Sequence, residues 1–440
     1  MNKDKENILE LIANEEVEWK KLEEVCEILD SKRKPVSKRN RVTGEYPYYG
    51  ANGIQDYVDD YIFDGTYVLM GEDGSVMDEN NNPILHWVDN KKIWVNNHAH
   101  VLGPLKEEYN LKYIYYYLSN YNVSAIVKGL PPKINQANLR NIKIPIPPLK
   151  LQEKIVDILD KLTLLQAELQ AELQCRTKQY EYYLEKLLTF DFKHDKASKQ
   201  ASKQAIILSE EYIEMLLRVA EKLKVKIELE KYFAKLHKIS EVFETITDYV
   251  AAGSFKQISE NVKYLDEPNY AQLVRTRDIK SNFLNTEEFV YVDNKAFDYL
   301  YRVNLDKECI VMPNIGNCGE VYHLVPEKLP YKNNALGPNS IYLRSTKADM
   351  KYLYYLFLSK DFQKELYKIT SKTGQGKFNK TELKKIKIPV PSIEVQNIIV
   401  EVLDKFFKYT NDTNDELLKE IKLRKKEYEY YRGKLLDFRK

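Results

Sequence analysis

Two stretches of this chain are copies of each other: residues 139–161 read LRNIKIPIPPLKLQEKIVDILDK and residues 383–405 read LKKIKIPVPSIEVQNIIVEVLDK. The pairs Leu139/Leu383, Ile142/Ile386, Lys143/Lys387, Pro145/Pro389, Pro147/Pro391, Gln152/Gln396 and Asp160/Asp404 all stand at an offset of 244. Further on, the Tyr-Glu-Tyr-Tyr run starting at Tyr180, with the Lys-Leu-Leu starting at Lys186 and then Phe190, matches the runs starting at Tyr428 and Lys434, with Phe438, at an offset of 248. Weaker echoes lie upstream, where Leu22-Glu23-Glu24-Val25 resembles Ile239-Ser240-Glu241-Val242 and Lys133-Ile134-Asn135 resembles Lys377-Phe378-Asn379. Self-similarity at a fixed offset means that the chain is built from two copies of one structural unit.

Each copy divides at its Ile-Pro-x-Pro segment. Prolines at alternate positions disfavour helix, so a helix can start only after Pro148 or Ser392. From there apolar residues recur at coiled-coil spacing, which predicts helices over about 149–189 and 393–437. In the first helix Ile155, Leu162 and Leu169 form one heptad series and Leu173, Tyr180 and Leu187 a second, with a four-residue stutter between them. The stutter coincides with a tandem tetrapeptide, Gln166-Ala167-Glu168-Leu169 and Gln170-Ala171-Glu172-Leu173. Between the copies, residues 193–204 are polar, with Ala-Ser-Lys-Gln written twice, and read as an exposed linker. A helical pattern over 206–236 follows, and the residues up to about Glu16 read as its shorter counterpart.

The segments ahead of the proline motifs mix short β-like runs, such as 62–70 and 309–313, with turns, and each closes in a Tyr-rich amphipathic helix at 111–120 or 349–360. The fold class is therefore α+β, with two pseudo-repeated globular domains separated by two long antiparallel helices as a coiled-coil spacer. The expected organisation is a helical leader (1–18), a first domain (19–148), a first spacer helix (149–190), a linker and connecting helix (191–236), a second domain (237–392) and a second spacer helix (393–440). If the helices run antiparallel, each Tyr cluster reaches the root of the opposite domain. A length of 440 residues suits this division. No apolar run is long enough for a membrane span, no signal peptide is evident and the four cysteines are scattered, so a reduced, cytoplasmic protein with no membrane contact is expected.

The bipartite plan, the proline motif followed by Gln and a long helix, and the segments Tyr48-Tyr49-Gly50-Ala51-Asn52-Gly53, Gly71-Glu72-Asp73-Gly74-Ser75 and Asn97-His98-Ala99-His100-Val101-Leu102 resemble the DNA-specificity subunit of Type I restriction–modification systems. Leu273-Val274-Arg275, Asp278-Ile279 and Asn339-Ser340-Ile341-Tyr342-Leu343 look like a second target-recognition domain of that family. The resemblance implies a non-catalytic reader of a bipartite, asymmetric double-stranded DNA target. It implies two methyltransferase subunits and restriction subunits as partners. The cofactors S-adenosylmethionine, ATP and Mg would reside on those partners, with none on this chain.

The residues themselves agree on the absence of catalysis. There is no Gly-rich S-adenosylmethionine loop, no Asn-Pro-Pro-aromatic motif, no phosphate loop and no HExxH. His98 and His100 alternate as on a strand, but a structural role outweighs metal binding because no third ligand is near in sequence. The formal net charge is only +2, so nucleic-acid binding must rest on local patches. Lys32, Arg33, Lys34, Lys38, Arg39 and Arg41 form one such patch, Lys128 and Lys133 with Arg140 and Lys143 a second, and Lys372, Lys377 and Lys380 with Lys384, Lys385 and Lys387 the matching one in the second copy. Such clusters suit phosphate contacts. For base edges, forked donors and amides are needed, and Asn52, Gln55, Asn135, Gln136, Arg275, Arg277, Gln375 and Asn379 are the candidates beside equally plausible turn and strand-end roles. Tyr48 and Tyr49 could stack on a base or pack inside. Two rival readings stay open from sequence alone: a reader with its own hidden nuclease or methyltransferase activity, and a coiled-coil scaffold with no DNA role.

Overall fold

The computed structural model describes residues 2–190, 206–226, 233–371 and 374–438; the expected linker at 193–204 lies outside them. The chain divides into two compact units, one of Met1–Leu173 with Asp415–Lys440 and one of Gln174–Asn414. Each unit thus holds one globular domain, the start of the long helix that follows it and the far end of the other long helix.

In the first unit the helix Asn2–Asn14 leads into strand Glu18–Lys21, which pairs antiparallel with Lys143–Ile146 of the proline motif. The main sheet has six strands in the order Cys26–Ile28, Ala99–Pro104, Phe63–Gly71, Leu85–Val95, Thr43–Gly50, Gly53–Val58. Central strands such as Phe63–Gly71 bury Val68, Leu69 and Met70 consecutively, because one face packs on the helices and the other on a smaller core around Phe63 and Ile93. The Tyr-rich helix Leu111–Leu118 begins at Asn110, whose side chain accepts from the amides of Lys112 and Tyr113.

The second unit repeats this plan with different strands. Strand Phe233–Lys238 pairs with Lys387–Pro391, as Glu18–Lys21 does with Lys143–Ile146. Its sheets are Thr245–Asp248, Ser340–Arg344, Cys309–Pro313, Tyr322–Leu324 and Tyr291–Val292, Ala271–Val274, Asn334–Leu336. Among the described residues of the stretch where periodicity predicted a helix over 206–236, helix is confined to Glu210–Lys222. Leu223 caps this helix, Lys224 has φ 55°, and residues 233–238 are extended because their backbone groups are taken up by the proline-motif strand. The helix is 13 residues long, as is Asn2–Asn14, so the two leaders correspond in length.

The long helices run Leu149–Leu188 and Ile393–Leu435. Within the first unit their segments are antiparallel: Gln166 Nε2 donates to the Arg424 carbonyl at 2.9 Å, while Tyr428 faces Asp160. Within the second, Tyr183 stacks on Phe406 with ring centroids 4.4 Å apart, and Tyr180 and Arg176 meet Phe407 and Tyr409. The terminal motif of each copy enters the other domain's core, with Leu435, Leu436 and Phe438 buried in the first unit and Leu187, Leu188 and Phe190 in the second.

The residues repeated in sequence are the ones that fasten each domain to its helix. Gln152, fully buried, accepts from the Asn110 amide and donates to the carbonyls of Glu108 and Pro147; Gln396 accepts from the Asp349 amide and donates to that of Pro391. Asp160 receives Lys112 at 2.8 Å and the Tyr116 hydroxyl, as Asp404 receives Lys351 and Tyr355. The hydroxyls of Tyr113 and Tyr352 donate to the carbonyls of Pro145 and Pro389. Burial, reinforced by the carboxylate partner, pushes the Tyr116 and Tyr355 hydroxyls far above the ordinary tyrosine range, so both stay protonated donors.

Candidate nucleic-acid interface

In the first domain four segments meet on one face: 30–41, 71–75, 96–100 and 128–136. A tight hairpin closes residue 128 on 133, with the Lys128 amide donating to the Lys133 carbonyl at 3.0 Å and the reverse bond at 2.9 Å. The hairpin is tied to the 71–75 loop, since the Gly74 amide donates to Pro132 and the Ile134 amide to Glu72. The Glu72 amide in turn donates to the His98 carbonyl.

Beneath this face lies a cluster that sequence separation hid. His100 is buried with Nδ1 at 2.7 Å from Asp30 and Nε2 at 2.8 Å from the Ile134 carbonyl, and Glu72 lies within ion-pair reach of His100, Arg33 and Lys133. Asp30, Glu72 and His100 bring their ligand atoms within 4.8 Å of one another, so the two further acidic groups that sequence reading did not find beside His100 come from distant segments. Both ring nitrogens face acceptors, and Arg33 and Lys133 already balance the carboxylates, so the trio works as an ion-paired brace. Burial alone would raise the Asp30 carboxyl, but the His100 bond and charge, the Val101 amide and Arg33 hold it below the usual range. Glu72 is lowered against burial by Arg33 and Lys133.

The expected contact residues divide accordingly. Lys32, Lys34, Lys38, Arg39 and Lys128 are exposed and form no ion pair with the described residues, and Asn52 is exposed in the turn before Gly53. Arg33 belongs to the brace. Arg41 pairs with Asp56 at 3.2 Å and lies over the Tyr48 ring. Tyr48 is 1% exposed, its hydroxyl bonded to both the amide and the carbonyl of Val36, and Tyr49 is buried as well. Neither ring can offer a face to a base; Tyr48 and Arg41 instead pin the basic segment to the sheet. Asn135 caps the short helix Gln136–Arg140, Gln136 donates to Asp30, and Lys133, although paired to Glu72, remains half-exposed.

The second domain rebuilds the same face with other residues. The Gly316 amide donates to Gly376, the Phe378 amide to Asn314 and the Asn314 amide to Asn339, which are the counterparts of the Gly74, Ile134 and Glu72 bonds above. Lys377 and Gln375 are exposed on the matching hairpin, and Lys372 lies outside the described residues. Asn379 caps the helix Lys380–Leu383, and Lys380 pairs with Asp248 at 2.7 Å. Arg275 is folded onto Asp278 and the Glu288 carbonyl, which leaves it positioning the helix Thr276–Lys280, while Arg277 stays exposed beside Glu288.

A duplicated chain with two cationic, loop-built faces fastened to long helices defines a bivalent binding protein. A sequence model of the Type I restriction modification DNA specificity domain matches residues 14–175 and again 235–423, and the chain belongs to that family. It is 32% identical over 97% of both chains to a Haemophilus influenzae protein classed with the type I restriction enzyme specificity subunits. To the specificity subunit of the Escherichia coli type I restriction enzymes EcoR124I/EcoR124II it is 30% identical, over 75% of this chain and 71% of that one. The fold is shared with the crystal structure of a Type I restriction–modification S subunit from M. genitalium, with TM-score 0.51 and 17% identity over 96% of this chain and 97% of that one. The protein is accordingly a specificity subunit and not an enzyme. No helix among the described residues is long and apolar enough to cross a membrane.

Proposed function

We propose that the chain reads a bipartite, asymmetric DNA sequence, one half with each domain, and directs partner adenine methyltransferase and restriction subunits to it. The observation that carries this reading is the repeated face: one set of backbone bonds presents two different sets of side chains, as two different half-sites require. Exposed Lys32, Lys34, Lys38, Arg39 and Lys128 on one domain and Arg277 and Lys377 on the other serve the phosphates, with Asn52 and Gln375 beside them as base-edge donors. The equivalent Tyr182 and Tyr430, 55% and 57% exposed on the long helices with Leu164, Leu418 and Leu423, supply apolar ground for two methyltransferase subunits. S-adenosylmethionine, ATP and Mg belong to those partners, and the complex works in the cytoplasm.

The helices act as a ruler in this reading. The 40 residues of the first span about 60 Å at ~1.5 Å each. One added tetrapeptide lengthens it by about 6 Å, less than two base pairs at ~3.4 Å. Both Gln-Ala-Glu-Leu units lie at the end of the first unit's share of the helix, largely exposed. Co-expression with the methyltransferase partner and mapping of methylated adenine is expected to return one interrupted, asymmetric motif. Inserting or deleting one tetrapeptide should change only the gap. An uninterrupted motif would reject the bipartite reader, and an unchanged gap would reject the ruler.

A further inference from the structure

The tip of the 128–133 hairpin is apolar where a loop tip is normally polar. Leu130 is 98% exposed and contributes to no core. Pro131 and Pro132 follow it, and their fixed φ angles stiffen the presentation of the leucine. Both feet are held: Lys128 and Lys133 close on each other, Pro132 receives the Gly74 amide, and Lys133 Nζ lies 2.9 Å from Glu72. The leucine is thus displayed rigidly at the edge of the cationic face, with exposed Lys128 beside it.

The second domain shows that the hairpin does not need such a tip. There the corresponding turn, one residue longer, is held by the Gly316 to Gly376 bond and by the Ser371 amide on the Lys377 carbonyl, and counting back from Lys133 and Lys377 sets Gly374, at φ 67° and followed by Gln375, against Leu130. Nothing lies within 4 Å of a Cβ added at Gly374, so a side chain there would also stand clear of the protein. One scaffold therefore carries an apolar point in one copy and, among the described residues of the other, a glycine and an exposed glutamine.

On duplex DNA, the phosphates flanking a groove suit the lysine foot, and the only large apolar surface is the stacked faces of the bases, reached by opening a step. We propose that Leu130 is a wedge that enters one base step of the half-site read by the first domain and unstacks it, while the second domain, whose matching loop sequence 371–377 has no large apolar residue, leaves its half-site stacked. This rests on the reading of the chain as a DNA-recognition subunit. It adds that the two half-sites are read by different means, the first partly through the deformability of a step.

The test uses the specificity subunit assembled with its methyltransferase partner and duplexes of the mapped target, with 2-aminopurine walked through both half-sites. The wild-type complex is expected to raise fluorescence at one step, away from the methylated adenines and in one half only. Leu130→Ser should abolish that rise while leaving any signal at the target adenines, and weaken binding roughly tenfold on the intact duplex but at most about twofold on a duplex mismatched at that step, where unstacking is cheap. Leu130→Met, which keeps an apolar point, should retain the rise. Specific binding by the wild type without such a rise, or a rise that survives Leu130→Ser, overturns the wedge and leaves the reader intact. So does a Leu130→Ser complex that comes apart without DNA, which would place the leucine against the protein partner. Failure of the wild-type complex to prefer the mapped target over a scrambled duplex overturns both.

Discussion

The roots of the two domains and their tips obey different rules. At the roots, Gln152 and Gln396, Asp160 and Asp404, and Tyr113 and Tyr352 make matching bonds from matching residues. At the tips the backbone bonds match but the side chains do not: Leu130 stands against Gly374, and the Asp30–Glu72–His100 brace of the first domain corresponds to no such cluster among the described residues of the second. Orientation against the helix is a requirement both copies share, so its residues are repeated. What each face contacts is a separate requirement, and only the scaffold of the face is repeated.

The largest effect should come from the brace. Asp30→Asn removes the carboxylate that meets His100 Nδ1 and the Val101 amide, leaves Glu72 alone to balance Arg33 and His100, and is expected to destabilise the first domain by about 3 kcal/mol, with the second unchanged. Hydrogen exchange of the Phe63–Gly71 amides against the Cys309–Pro313 amides measures both at once, and equal deprotection would break the asymmetry. Acid should have the same selectivity. Because the folded Asp30 and Glu72 carboxyls are held below their ordinary values, the stability they contribute is complete above the unfolded values near pH ~4 and is lost as pH falls through the folded ones. The first domain should therefore open first in a pH series followed by the same exchange.

Next in size are the root glutamines. Gln152→Leu and Gln396→Leu each strand a buried backbone amide and at least one carbonyl, and each should cost about 2 kcal/mol. The comparison predicts nearly equal losses in thermal or urea melts, each confined to its own unit; a several-fold inequality would show that the repeated bonds are not equivalent. The smallest effect concerns single surface cations. Neutralising Lys34 or Lys38 should weaken DNA binding by the complex without changing the methylated motif, and lower the slope of log affinity against log salt by about 0.9 for each phosphate that is no longer neutralised. A changed motif would move that lysine from the phosphates to the bases.

Much of the root is legible in the sequence because it depends on local spacing. The prolines at 145 and 147 and at 389 and 391 set where the long helices begin, and the equal offset of Gln152/Gln396 and Asp160/Asp404 is enough to mark the fastening residues. The strand Phe233–Lys238 escapes, since its apolar residues also fit a helical period and only pairing with Lys387–Pro391 decides otherwise. As sequence, Tyr48 and Tyr49 are as ready to meet a base as to pack, and burial settles it, Tyr48 against Val36 and Arg41 and Tyr49 in the core with Phe63 and Ile93.

From sequence alone come the duplication, the boundaries of the two long helices, the cationic segments and the family, because periodicity, proline chemistry and repeat offsets are carried by neighbouring residues. Tertiary structure alone decides that Asp30, Glu72 and His100 form one ion-paired cluster, that Arg33 and Arg275 are braces while Lys34 and Arg277 stay exposed, and that Leu130 stands clear of every core. Those assignments depend on segments up to about a hundred residues apart in the chain being brought within hydrogen-bond distance, and no local pattern encodes which of two equal charges will find a buried partner.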